Sequence, residues 1–116
     1  MTLKAKKSAP RAYSPHCREA IAALGQRVRI NRIERKMSVE ELATRVGISR
    51  DLMHRIERGD PRCGIGLVFE AATVVGVPLF DSDRSALSEL RSRQLEKLSL
   101  LPKAIHKPRA AVKDDF

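Results

Sequence analysis

Apolar residues along this chain recur at helical rather than strand spacing. After residue 15, Ile21, Leu24 and Val28 fall three and four apart, the interval that lines one helix face. Ser14-Pro15 supplies a start, with serine as N-cap and proline at the first helical position. This first helix is expected to run to about Lys36. Val39, Leu42, Ala43 and Val46 repeat the interval in a short second segment. Ile65, Val68, Phe69, Ala72 and Val75 predict a further helix over 65–75, buried through these five side chains. Gly76 is placed to end it, and Pro78 prevents continuation. A longer helix is expected from Asp81 or Ser82 to Leu101. The apolar run 74–80 is interrupted by Gly76 and Pro78, so no strand is predicted and the chain reads as all-α.

This pattern divides the chain into four stretches. Residues 1–13, rich in Lys, Ala and Pro, predict a basic flexible arm. Residues 14–80 form the predicted folded domain, 81–101 a C-terminal helix, and 102–116 a flexible tail bracketed by Pro102 and Pro108. A core drawn from only about 65 residues is marginal alone, so dimerisation or a partner would help stabilise it.

The most informative stretch is SVEELATRVGISRDLMHRIERG, residues 38–59. Ser38 and Glu41 have capping-box spacing, in which the serine hydroxyl accepts from the Glu41 N–H while the glutamate reaches back. Gly47 is placed to end the first helix in the left-handed conformation that glycine tolerates. Ser49 caps a second helix, and Asp51 complements the positive end of its dipole. Gly59 and Pro61 stop that helix. Two helices joined by about three residues must cross steeply, and small Ala43 leaves room for the approach. Such an arrangement presents one helix to a DNA groove.

With Arg50 at about 0° and about 100° per residue, Met53 falls near 300°, Ile56 near 240° and Leu52 near 200°. These three define the buried side. Asp51, His54, Arg55 and Arg58 lie opposite, and Arg50 sits at the edge in the first turn. Arg50 or Arg55 could bond guanine O6 and N7 bidentately, and Leu52, on the margin, could touch a thymine methyl.

Charge points the same way. The chain carries 23 Lys+Arg against 14 Asp+Glu, a net +9. The excess is concentrated in residues 1–64, with 15 basic and 7 acidic residues, against 8 and 7 in 65–116. A positive field attracts polyanions, and neutralising phosphates releases counterions.

On these residues the chain resembles the Xre/Cro-type helix-turn-helix family of phage and bacterial repressors. The matching pieces are Leu24-x3-Val28-x3-Arg32, Ser38-x2-Glu41-Leu42-Ala43, Val46-Gly47-Ile48-Ser49-Arg50 and Ile56-Glu57-Arg58-Gly59. The resemblance covers about half the chain, residues 24–79, and implies a five-helix bundle, here with an N-terminal helix extension, a C-terminal helix and a tail. It implies base reading by Arg50, Asp51, His54 and Arg55. The Ser38 and Val39 amides are expected to meet phosphate, as helix N-termini favour anions, with further backbone contacts from Ser49, Arg45, Arg58 and Arg62. Arg27, Arg29 and Arg35 are weaker candidates for the same backbone contacts, because a packed helix also needs a solvated face. Arg32 and Glu57 are expected to form a structural ion pair. The wheel agrees, since Glu57 falls near about 340°, towards the buried side.

The stretch 58–66 and the tail residues 107–109 and 114–116 also resemble HipB-like antitoxins. That resemblance implies repression of the protein's own operon from a palindromic operator, a homodimer, and a HipA-like serine/threonine kinase toxin as partner. Leu87, Leu90, Leu98 and Leu101 approximate a stripe on the last helix, with Leu95 beside it, but Gln94 interrupts strict heptads. Packing on the protein's own core, dimerisation and toxin docking all remain open for it. The basic N-terminal arm could cross a minor groove.

Other functions fit less well. His16, His54 and His106 are scattered, and no nucleophile has a base at a telling spacing. Adjacent His16 and Cys17 would point about 100° apart on a helix, so no enzyme is expected. One Tyr, three Phe and no Trp leave little for base stacking on single-stranded RNA. Cys17 and Cys63 lie far apart without CxxC spacing, so neither a disulfide framework, a metal site nor any cofactor is expected. Lys4, Lys6 and Lys7 precede no apolar run, which argues against a signal peptide. Nothing approaches a membrane span. The expected location is the cytoplasm.

Overall fold

A computed structural model describes residues 11–108. Its five helices are α1 (Pro15–Glu34), α2 (Val39–Val46), α3 (Arg50–Glu57), α4 (Ile65–Val74) and α5 (Arg84–Ser99). The described residues contain no β-strand. The expected all-α architecture is observed. The chain divides into two compact units, residues 1–79 and 80–116.

In the first unit, each boundary has a local cause. Ser14 Oγ accepts from the Cys17 amide at 3.2 Å, with Pro15 behind it in the first turn of α1. That helix stops at Glu34, two residues before the expected end, because Lys36 turns to φ +55°. The Ser38–Glu41 capping box is complete. Gly47 closes α2 at φ +83°, a conformation that penalises any side chain. Ser49 Oγ then accepts from the Leu52 amide at 3.1 Å to start α3.

The core consists of Val28, Leu42, Ala43, Met53, Ile56, Ala71, Ala72, Val75 and Val77. α2 packs against α3 and α4, and α1 against the same two helices. α4 departs from the expected face. Ile65 is 69% exposed, Val68 and Phe69 are half-buried, and Ala71 and Ala72 are fully buried. Two adjacent alanines let α4 approach closely on their side, so the buried arc centres between Ala71 and Val75 rather than on Ile65 and Phe69. Burial follows the smallest side chains here, where the pattern followed the largest.

α1 and α3 meet through backbone. Gly25 is buried, and a Cβ there would lie 2.5 Å from the Ile56 carbonyl oxygen. A Cβ on Gly59 would lie 2.7 Å from Ala22 Cα. Both distances are too short for non-bonded contact. Glycine at these two positions therefore sets how closely the end of α3 approaches α1.

In the second unit, Asp83 caps α5, its carboxylate accepting from the Ala86 amide at 2.8 Å. The start falls later than expected because Phe80 and Asp81 both adopt positive φ, +57° and +54°, which cannot continue into a helix. No residue of α5 is buried. Leu87 and Leu90 are half-buried, whereas Leu95 and Leu98 are exposed. The basic arm and the tail fall partly outside the described residues, at positions 1–10 and 109–116.

Candidate nucleic-acid interface

The outward face of α3 follows from the inward one. Met53, Ile56 and Glu57 are buried, which turns Arg50, Asp51 and Arg55 into solvent and leaves His54 half-buried. Asp51, Leu52, His54, Arg55 and Arg58 line one open depression with Ser49. The structure thus brings together three of the four residues expected to read bases, with Arg50 exposed at the start of the same helix. This face holds donors in Arg55 and His54 and an acceptor in Asp51, the groups needed to read base edges.

Behind that face, Arg32 and Glu57 form a fork. Arg32 Nε donates to Glu57 Oε2 at 2.7 Å, and Nη2 donates to Oε1 at 3.0 Å. Nη1 donates to the Met37 carbonyl at 2.9 Å. The side chains are 10% and 5% exposed, so the pair ties α1, α3 and the turn before α2 in a region poor in water. A charge buried here is tolerable because its partner satisfies it.

The expected phosphate contacts divide. Arg45 and Arg58 are exposed, Arg45 lying in a depression with Glu40 and Glu41. Two expectations compete at the Ser38 amide, phosphate and capping box, and the capping box takes it: the amide donates to Glu41 Oε1 at 2.7 Å. The carboxylate of the capping box takes the donor that a phosphate would use, and its charge opposes an anion there. Val39 is half-buried at the first position of α2, and Ser49 is exposed. Arg62 is also engaged. Its Nε and Nη2 donate to the Asp60 carboxylate at 3.1 and 2.9 Å, and its amide donates to Oδ1 at 2.9 Å. These hydrogen bonds from Arg62 lower the Asp60 pKa to about 2 and raise that of Arg62. Arg62 therefore carries a neutralised charge.

Gly25, which the pattern leaves without a role, and Arg29, a weaker candidate for a backbone contact, join the site's framework. Gly25, an interior glycine that apolar periodicity passes over, seats the end of α3. Its spacing of three from Ala22, small residues one helical turn apart, is the sequence signal for a close helix approach. Arg29, one turn before Arg32, lines a second depression with Arg32, His54, Glu57 and Arg58. Arg35 does otherwise, lying against Gly76 and donating to the Asn31 carbonyl at 3.4 Å.

Cys17 and Cys63 are both free and half-buried, and burial raises the Cys63 thiol pKa. Among the described residues no group of His, Cys, Asp or Glu could hold a metal ion. No described helix is long and apolar enough to cross a membrane.

A helix-turn-helix domain family matches residues 23–87, more than half of the chain, covering α1 from residue 23 onward and α2, α3 and α4 in full. Neither the curated proteins nor the solved structures compared with the chain give a match. The turn at Gly47, the capped helices on either side and this match place the chain in the family of helix-turn-helix domains, as a DNA-binding member.

Proposed function

We propose that the protein is a sequence-specific transcriptional repressor that lays α3 in the major groove of duplex DNA. The observation carrying this reading is the outward face of α3, where Arg50, Asp51, His54 and Arg55 stand on a helix fixed from behind by a buried ion pair. Arg50 and Arg55 read guanine edges. Arg45, Arg58, Ser49 and the Val39 amide hold the phosphate strands. Two copies on a palindromic operator would place their recognition helices about 34–36 Å apart, one turn of DNA. The protein acts in the cytoplasm and needs no cofactor.

Binding-site selection from random duplexes, followed by titration of the selected site, tests the reading. Arg50→Ala or Arg55→Ala should cost about 1–3 kcal/mol on the selected site and much less on unrelated DNA. Equal losses on both would refute base readout by that residue.

A narrower role is supported by the resemblance of residues 58–66 to HipB-like antitoxins. In that role the protein represses its own operon and binds a HipA-like kinase toxin, and the exposed Leu95, Leu98 and Leu101 of the second unit offer apolar surface for docking. Co-expression with a kinase-like product of the neighbouring reading frame checks it. Leu95→Ser with Leu98→Ser should keep DNA binding while losing affinity for the toxin. No complex with the full chain would leave a repressor without a toxin partner.

A further inference from the structure

We propose that Arg29, His54 and Arg58 form a phosphate-binding cleft between α1 and the end of α3, which grips the sugar-phosphate strand flanking the groove. The proposal rests on the DNA-binding reading above and adds a site on α1, outside the helix-turn-helix.

The cleft is lined by Arg29, Arg32, His54, Glu57 and Arg58. Glu57 supplies its single carboxylate, and both oxygens of that carboxylate are already occupied by Arg32. The remaining Arg32 donor goes to the Met37 carbonyl. The fork thus brings no net charge to the floor of the cleft. Among the described residues, neither Arg29 nor Arg58 has an ion pair. Two guanidinium groups and an imidazole therefore share one concavity whose single carboxylate, Glu57, is already matched by Arg32. Like charges repel in that arrangement, and an oxyanion with several acceptor oxygens relieves the repulsion while using the donors.

Position identifies the anion. His54 and Arg58 line this cleft and also the depression on the outward face of α3, so the two are contiguous. When α3 enters a groove, the strand bordering that groove passes over the shared edge. A duplex phosphate then sits between α1 and α3, held from two elements at once.

The test uses the full chain and a random-sequence duplex, since phosphate contacts carry no sequence information. Affinity is followed by fluorescence anisotropy across a salt titration. Each neutralised phosphate contributes about 0.9 to the slope of log affinity against log salt. Arg29→Ala should lower the slope by about 0.9 and weaken binding on the order of eightfold at 0.1 M salt. Arg29→Lys should keep the slope, and neither change should alter thermal unfolding. If the wild type binds no duplex, the DNA-binding reading and the cleft fall together. If it binds and Arg29→Ala keeps the wild-type slope, the cleft alone is overturned, even where free inorganic phosphate shifts the His54 resonances.

Discussion

Two arginine–carboxylate forks, close together along the chain, have nearly the same geometry and opposite surroundings. Arg32–Glu57 is almost fully buried between α1 and α3, joins residues 25 positions apart and spends its last donor on a backbone carbonyl. Arg62–Asp60 spans two residues in the turn after α3, with the Arg62 side chain 78% exposed. In the first, water cannot replace a missing partner, so each charge obliges the other to be present. In the second, the Asp60 carboxylate is 13% exposed, but solvent and salt compete for the Arg62 guanidinium, so the pair adds less to stability. What the exposed fork changes is the field, since it neutralises a cation that DNA would otherwise attract. Hydrogen-bond distance alone does not tell these roles apart; burial does.

The comparison breaks most severely at Glu57. Glu57→Ala leaves the Arg32 guanidinium buried without its carboxylate and should cost about 3–5 kcal/mol in urea unfolding. Replacing both partners, Arg32→Met with Glu57→Leu, should cost less than the single change, since no charge is then stranded. A loss from the double variant equal to that from Glu57→Ala would show that packing, not charge, dominates the site. Next in size is the seat beside this fork. Gly25→Ala pushes a methyl group into the Ile56 carbonyl and should destabilise by about 1–3 kcal/mol. Gly64→Ala, beside the exposed fork, meets nothing within 4 Å at ordinary φ and should stay within about 0.5 kcal/mol of wild type.

Smaller effects fall at the exposed fork. Asp60→Asn should leave the unfolding midpoint near neutral pH almost unchanged. It should release Arg62 and steepen the salt dependence of duplex binding by about 0.9. An unchanged slope would mean that Arg62 reaches no phosphate even when freed. The smallest effect is the pH dependence of stability. Asp60 has its folded pKa lowered from 3.8 to about 2, so its contribution is present above the unfolded value and is lost as pH falls between these two. Acid unfolding of Asp60→Asn should lack that component, and added salt should shrink it in the wild type.

Much of the scaffold is legible in the sequence because its signals are local. The capping box, the left-handed Gly47 and the division of α3 into inward and outward faces depend on spacings within one or two turns. The inward placement of Glu57 follows from the same arithmetic, and its bond to Arg32 then from the family pattern. What stays hidden depends on partners chosen by the fold. Arg62 reads as a free cation in the sequence, but its turn brings it onto Asp60. The buried face of α4 is set by Ala71 and Ala72, whose small size carries little apolar signal. The leucines of α5 have helical spacing, but spacing does not say what covers them, and Leu95 and Leu98 lie uncovered.

The glycine contacts between α1 and α3 have a consequence for how this protein could change its target. The angle of α3 is set by main-chain atoms, Gly25 against Ile56 and Gly59 against Ala22. None of the four outward residues of α3 takes part. A lineage could therefore exchange Arg50, Asp51, His54 or Arg55 for other polar side chains at little cost in stability, and the helix would still arrive at the same depth and tilt. The contact separates posture from vocabulary, so a new operator can be learned one surface substitution at a time.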